Sequence, residues 1–359
     1  MQQVHPRVLV SNREPRSTTN PYITMLTTAL RRTPGVEVVT FSYPAALFGR
    51  YDVVHLHWPE TILGQGGRRL SGRLVRWVLT ALLLVRLTVA RTPVVRTMHN
   101  VELPADVSVA QRLLLRWFDQ LTTHRIVLNE RTECPAPRTA IPHGHYRDWY
   151  TGPRSTAVPG RLGYVGLVRR YKGVEGLVAA FRSVADDSLT LGIAGAASSR
   201  ELAATITALA DGDPRVTLRF GYLADDELVA AVTAAELVVL PYRFMHNSGT
   251  VLAALSLGRP VLVPETPVNT DLAAEVGPGW IHTFTGSLTG EDIEAAISAV
   301  RAPRADSPDL SAREWDDAGR AHLAVYRAAL SRRAPSRPGP SRRGSPGTGS
   351  AARVSGASA

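Results

Sequence analysis

The segment RRYKGVEG, residues 169–176, contains the only lysine of a chain that carries 40 arginines. Lys172 follows Arg169 and Arg170 and precedes Gly173, within the longer stretch GYVGLVRRYKG. That stretch reads as a strand ending at Val165 and Gly166, a short basic loop, and a helix starting near Val174. Two glycines let the backbone come close to a ligand. The arginines and the lysine put up to three cations around the opening, and a helix start adds free N–H donors and a positive dipole end. Diphosphate suits this arrangement; a solvated basic turn is the plainer alternative. A second helix start lies in LVVLPYRFMHNSGTVLAALSLGRPVLVPE. Here Ser248 is a good N-cap and Gly249 leaves the first-turn amides open. An anion could rest on Ser248, Gly249 and Thr250 with Arg243 beside it, or the segment could be a well-capped buried crossover helix.

Short apolar runs alternating with stretches of helical period must hold these groups in place. PRVLVS, VEVVTF, DVVHLH, PVVRTM and HRIVLN are expected strands in the first half; RLGYVG, LTLGIAG, RVTLRF, ELVVLP and PVLVPE are expected in the second. Unbroken Val/Leu/Ile runs fit parallel strands covered on both faces. Helical patterns span 21–32, 109–123, 174–184, 200–209 and 225–235. This alternation predicts an α/β chain with two doubly wound, Rossmann-like domains facing a cleft. The expected boundaries are 1–145 for the first domain and 146–330 for the second, closing with a helix at 311–330, and the seam lies in the turn-rich stretch 141–160. Residues 331–359 form an Arg/Pro/Gly/Ser-rich tail that reads as disordered, because it has too little apolar surface to offset its chain entropy.

With both halves laid out, GYVGLVRRYKGVEGLVAAF resembles the GRLxxxKGxxxLIxAF segment of GT-B glycosyltransferases, especially those like family 4. LGIAG and LVVLPYR…SGTVLAALSLGRPVLVPE resemble the strand, donor helix and strand that follow in that family. VHLHWPE, TMHN and IPHGHY look like its first-domain loops and interdomain segment. The resemblance covers roughly residues 5–330 and implies a GT-B fold. It also implies transfer of a hexose from a GDP- or UDP-sugar to a saccharide or lipid-linked acceptor, with Lys172 on the donor diphosphate. Leu167 occupies the position of the family arginine, so Arg169 or Arg170 would reach the phosphate instead. Retaining members carry two glutamates spaced E-x7-E on the donor helix. MHNSGTVLAAL has neither, and Glu265 after the next strand is the remaining candidate for the ribose. The segment is closer to a subset with an NSG loop, which includes β-mannosyl- and β-glucosyltransferases of polysaccharide assembly.

On this resemblance the first domain holds the acceptor and the base that an inverting transfer needs. Glu60 and His99 are the catalytic candidates, at the ends of VHLHWPE and TMHN. His57 lies at the same strand end, whereas His55, two residues earlier on the same face, reads as a core histidine. Asn20 and Tyr22, in the loop after the first strand, either contact acceptor or cap and pack the next helix. No metal or other cofactor is expected, since amides and basic side chains neutralise the diphosphate in GT-B enzymes. Asp211, Gly212 and Asp213 have the DxD form of metal-dependent transferases but read as a turn before a strand.

Composition narrows the partners. The net charge is +10, yet six arginines fall in the tail and six in 68–91, and neither stretch holds an acid. The rest of the chain is close to neutral, and no zinc-ligand spacing, RNP motif or basic zipper occurs, so nucleic acid is not an expected partner. RRLSGRLVRWVLTALLLVRLTVAR is too short in its uncharged run to span a bilayer. It fits either a helix lying in an anionic membrane interface or a buried helix with snorkelling arginines. The single Cys134 suits a reducing compartment, and MQQVHPRVLVSN lacks a long apolar run. A cytoplasmic protein, peripheral at the inner face of the cell membrane, is the expected location. The absence of GxGxxG argues against a dinucleotide oxidoreductase. A catalytically inactive nucleotide-sugar-binding scaffold is the second reading.

Overall fold

The computed structural model describes residues 5–16, 19–64, 70–99, 108–243, 245 and 247–333. Two six-stranded parallel sheets organise the chain. The first contains β1 (Arg7–Val10), β2 (Glu37–Thr40), β3 (Val53–Leu56), β4 (Val94–Met98), β5 (Thr122–Val127) and β6 (Arg138–Ala140), in the order β2-β1-β3-β4-β5-β6. Around it lie α1 (Pro21–Arg32), α2 (Tyr43–Phe48), α3 (Pro59–Leu63), α4 (Leu70–Ala90) and α5 (Val109–Leu121). The second contains β7 (Arg161–Val165), β8 (Thr190–Gly195), β9 (Val216–Phe220), β10 (Leu237–Val239), β11 (Val261–Pro264) and β12 (Ile281–Phe284), in the order β12-β11-β10-β7-β8-β9. Its helices are α6 (Val174–Arg182), α7 (Arg200–Ala210), α8 (Asp225–Ala234), α9 (Gly249–Ser256), α10 (Pro267–Val276) and α11 (Gly290–Val300). The last helix is α12 (Trp315–Arg333).

Alternation along each strand separates two cores in the first half. Val8, Val10, Val53, Val95 and Ile126 face α1 and α12, whereas Leu9, Val54, Leu56 and Val94 face the α4–α5 side. The second sheet changes direction at β7/β10, and such a switch point leaves a crevice outside the carboxyl ends of the strands. The loop bearing Lys172 follows β7, and the loop bearing Tyr242 follows β10. All ten expected strands form. The two not anticipated, β6 and β12, are short edge strands without an apolar run.

The final helix departs from the expected assignment. Residues 311–313 form a single 3-10 turn, and α12 then packs against α1 and the first sheet rather than the second. It also continues to Arg333, beyond the expected tail boundary; the rest of the tail lies outside the described residues. Small residues allow the return. A Cβ on Gly319 would collide with the Thr33 hydroxyl, and one on Gly144 would strike the Trp315 ring. Trp315 Nε1 donates to the His145 carbonyl (2.7 Å), and the buried Tyr326 hydroxyl bonds to His55 Nδ1 (2.8 Å). His55 Nε2 bonds to Thr97 Oγ1 (2.8 Å), so this histidine is a satisfied core residue, as its strand position suggests.

Tyr326→Ala should therefore destabilise the protein by about 3–5 kcal/mol, the usual cost of truncating a buried aromatic residue. Tyr326→Phe, which leaves His55 Nδ1 unpaired, should cost about 1–3 kcal/mol. Urea unfolding of the two variants checks the ranking, and equal stability of both with the parent would mean that α12 is not anchored there.

Candidate active site

Lys172 closes the 3-10 turn Arg170–Lys172, and Gly173 follows in the left-handed region (φ 66) to start α6. A side chain at Gly173 would strike the Pro241 carbonyl, so the turn is held tight against the end of β10. Lys172 is only 9% exposed. Its Nζ donates to the Tyr242 hydroxyl (2.9 Å), lies 4.7 Å from the centre of that ring, and meets no carboxylate among the described residues. Burial pulls the pKa of this ammonium down; nearby Tyr171 acts the other way and Arg169 adds to the lowering.

The Tyr242 hydroxyl donates onward to Thr250 Oγ1 (3.3 Å), in the first turn of α9. Ser248 caps that helix by accepting from Val251 N (3.3 Å). The amides of Gly249 and Thr250 remain at the open first turn. A Cβ on Gly166 (φ 121) would stand 3.6 Å from Thr250 Oγ1 and 3.9 Å from Lys172 Nζ, so the bare backbone after β7 faces the same spot. Lys172, Tyr242, Thr250 and Gly166 thus converge on one small region. Tyr242 was missed because a tyrosine in LVVLPYR looks like strand-end packing; only its position opposite Lys172 gives it a role. Arg169, Arg170 and Arg243 are exposed around this region, and Arg170 lies 3.9 Å from Glu175. Glu265 is exposed at the end of β11 and is not brought into contact with this group.

Across the cleft stands a wall of rings. His57 Nδ1 lies 3.1 Å from His99 Nε2, and His99 stacks on Trp58 with ring centres 4.0 Å apart. Tyr22 packs against His57, His99, His143 and Trp315, with centres 4.6–5.9 Å away. His143 Nε2 bonds to the Tyr146 hydroxyl (3.2 Å), and a Cβ on Gly249 would lie 3.1 Å from that hydroxyl. The wall therefore runs from β3 and β4 to the start of α9. Asn20 acts as the N-cap of α1, accepting from Tyr22 N (3.0 Å).

Glu60 stands apart from the ring pair. Burial raises its pKa, and the charge that acts on it is Arg96. Arg96 is in turn bonded to Asp119 on the α5 side (3.3 Å). Beside the wall is a cavity of about 290 Å³, lined by residues that include Asn129, Pro142, His143, Met245, Asn247 and Ser248. Asn129 donates to Asn247 across it (2.8 Å), and Arg131 grips Asp271 with two contacts of 2.6 and 2.8 Å. Arg313 holds Glu275 in the same way (2.6 and 2.7 Å). The two halves are thus tied together around the opening. Asp211 and Gly212 form a turn and Asp213 pairs with Arg215 (2.9 Å), in agreement with the sequence reading.

The profile described as "Glycosyl transferases group 1" matches residues 159–302, the half that holds Lys172 and α9. A protein of Xanthomonas campestris pv. campestris, described as a GDP-mannose:glycolipid 4-beta-D-mannosyltransferase, is 44% identical over 328 residues, covering 90% of this chain and 93% of its own length. The chain belongs to the group 1 glycosyltransferases. It is a transferase enzyme that uses a nucleotide-sugar donor, and its two sheets form the GT-B fold. Solved structures agree on architecture. AviGT4, a glycosyltransferase involved in Avilamycin A biosynthesis, superposes with a TM-score of 0.58 at 16% identity, covering 91% of this chain and 98% of its own. The catalytic domain of Starch Synthase IV from Arabidopsis thaliana, bound to ADP and acarbose, gives 0.62 at 11% identity, covering 91% and 99%.

The rings of this glycosyltransferase wall are held neutral. Burial pushes His57 down to about 3 and His143 and His322 to about 4, with His55 and His99 well below the ordinary histidine value. As pH falls below about 6.5 the unfolded chain takes up protons that the folded chain refuses. Stability is therefore intact above pH 6.5 and should be lost towards pH 4, by up to about 1.4 kcal/mol per histidine per pH unit. Thermal melts should be flat from pH 8 to 7 and fall steeply below 6.5. A flat profile down to pH 4.5 would show that these rings are not buried in neutral form.

Proposed function

We propose that the protein transfers mannose from GDP-mannose to a glycolipid at a membrane surface, with inversion at the anomeric carbon. The observation that carries the reading is the buried Lys172, a cation with no carboxylate partner among the described residues, facing the open first turn of α9. A buried charge without a partner is costly, and an anionic ligand is the natural compensation. The donor diphosphate would sit on the Gly249 and Thr250 amides and the Lys172 ammonium, with Ser248 completing the turn. Arg169, Arg170 and Arg243 would attract it from the rim, and Glu265 is the candidate for the ribose. These groups neutralise the diphosphate without a metal ion. The choice of GDP-mannose and glycolipid rests on the 44% identical relative.

An α-linked donor and a β-linked product require one in-line displacement. The acceptor oxygen bonds to C1, the C1–O bond to diphosphate breaks, and a base takes the hydroxyl proton. His99 is the better candidate, because it is neutral, only partly buried, and part of the wall that reaches α9. Glu60 is the second candidate, on the far side of Trp58 in sequence and beside Arg96. Asn20, Tyr22 and His57 would shape the acceptor side.

A membrane role is supported by α4. Leu74, Val75, Val78, Leu82, Val85 and Val89 are all roughly half exposed or more, while Leu83, Leu84 and Leu87 are buried against the sheet. Phe48 and Leu113 add exposed apolar surface on the neighbouring helices. No described helix is long and apolar enough to cross a membrane. A helix with one packed face and one apolar face edged by Arg73, Arg76 and Arg91 suits an anionic interface. The location proposed is the cytoplasmic leaflet.

Lys172→Met should weaken GDP binding by about ten- to a hundredfold, the worth of one charge-assisted phosphate contact, without lowering the melting temperature of the free protein. Calorimetric titration with GDP decides it, and unchanged affinity would leave the lysine as mere packing. Mannose transfer to a glycolipid extract, absent from an inactive scaffold, tests the activity itself. Replacing Leu74, Val78 and Leu82 by Ser should cut co-sedimentation with phosphatidylglycerol vesicles at least about tenfold, since each methylene withdrawn from lipid costs about 0.8 kcal/mol. Equal sedimentation of parent and variant would remove α4 from the membrane contact.

A further inference from the structure

His57 has no place in the transfer step as proposed, yet its setting is unusually constrained. Its backbone N–H donates to Ser11 Oγ (3.0 Å), and its ring is 4% exposed. His55 packs on it with centres 4.3 Å apart, Tyr22 meets it edge-on at 5.9 Å, and Trp58 lies 6.1 Å away. The one polar contact of the ring among the described residues is Nδ1 to His99 Nε2. His99 is partly exposed, and its Nδ1 has no hydrogen-bond partner among those residues.

One proton must lie between the two nitrogens, and where it belongs fixes what His99 can do. If His57 Nδ1 held it, the proton of neutral His99 would sit on Nδ1, where it could only donate. If His99 Nε2 holds it, the lone pair of His99 falls on Nδ1 and can accept a proton. We infer that His57 is the positioning residue for His99: its Nδ1 accepts the His99 Nε2–H and leaves His99 Nδ1 as the basic atom. This rests on the proposed transfer with His99 as base. In the step, the acceptor hydroxyl proton moves to His99 Nδ1 as its oxygen bonds to C1, and the electron pair of the broken C1–O bond leaves on the diphosphate. The imidazolium so formed keeps its Nε2–H on His57, which plays the orienting part that a carboxylate plays in a serine-protease triad. The groups around the pair are Tyr22 of α1, His55 of β3, His322 and Tyr326 of α12, His143, and Arg96 of β4. None is a carboxylate, so nothing else among them can orient His99 by accepting as an anion.

The experiment follows GDP release from GDP-mannose with a glycolipid extract as acceptor, and GDP-induced thermal shift reports folding and donor binding. His57→Phe should lower kcat about a hundredfold with KM for GDP-mannose within about twofold. His57→Gln, which retains an accepting oxygen, should recover most of that loss. His57→Glu should move the acidic limb of kcat/KM up by about one pH unit or more, because an adjacent carboxylate favours the imidazolium. His57→Phe combined with His99→Ala should be no worse than His99→Ala alone. Full activity of His57→Phe, equal losses in Phe and Gln, or an unmoved limb in Glu would overturn the positioning role. Where His57→Phe does not fold, the Gln and Glu variants decide. Full activity of His99→Ala would instead remove the base from the proposed reaction.

Discussion

The structure turns on a buried ammonium that meets no counter-charge among the described residues. Lys172 lies at the switch point of the second sheet, with a tyrosine hydroxyl as its one hydrogen-bond partner among the described residues. An arginine there would demand a planar fork of acceptors, whereas a lysine offers a compact charge that a phosphate can meet from one side. In a chain otherwise committed to arginine, the proposed phosphate contact accounts for the exception. The surrounding features follow from the same need. Gly166 removes the side chain that would fill the space, Gly173 turns the loop beneath β10, and Ser248 keeps the first turn of α9 ordered while its outer amides stay open.

The other half of the cleft solves the reverse problem. Five histidines gather near the first sheet and the last helix, and burial keeps them uncharged. Helix α12 makes this possible. By crossing back to α1 it covers His55 through Tyr326 and brings Trp315 under Tyr22. The same return passes Arg313 to Glu275 and to the His143 carbonyl, so the lid on the histidines is also a tie between the two halves.

Much of this was legible in the sequence where local pattern decides. The ten expected strands carry unbroken Val/Leu/Ile runs, and α1, α6, α7 and α8 match their expected spans within a few residues. The two edge strands were not legible, because RTA and IHTF owe their extended form to neighbours β5 and β11 rather than to their own residues. The partner of α12 was hidden for a similar reason. Its apolar stripe states only that one face is buried, and Gly319 against Thr33 becomes meaningful only once the two helices are side by side. In the site, Lys172 and Ser248 announced themselves by type and position. Tyr242 and Tyr146 did not, since an aromatic residue at a strand end or turn usually packs; the Tyr242 hydroxyl gains its role only from Lys172, 70 residues away, and Tyr146 is set against α9 by its backbone N–H donating to Ser256 Oγ, 110 residues away. The stripe on α4 was ambiguous between lipid and core; in the fold Leu83, Leu84 and Leu87 pack inward while Leu74, Val78 and Leu82 are exposed, and the lipid contact of that outer face is a proposal.

On the proposed reading, the two halves together account for neutral histidines, rather than carboxylates, lining the wall facing α9. In the proposed transfer a diphosphate would bring about two negative charges to Lys172 and the helix amides, and its departure would concentrate charge on the leaving oxygen. A carboxylate at His99 would face that charge, and like-charge repulsion between partly buried groups is weakly screened. A neutral imidazole is indifferent to the arriving donor and becomes positive only as the leaving group becomes more negative. Charge separation in the proposed step would then be attractive across the cleft, with imidazolium on one wall and diphosphate on the other. Bonded to His57 on one edge and stacked on Trp58, the ring would have little to reorganise in the proposed step, and electrostatic preorganisation of that kind is where most catalytic stabilisation resides.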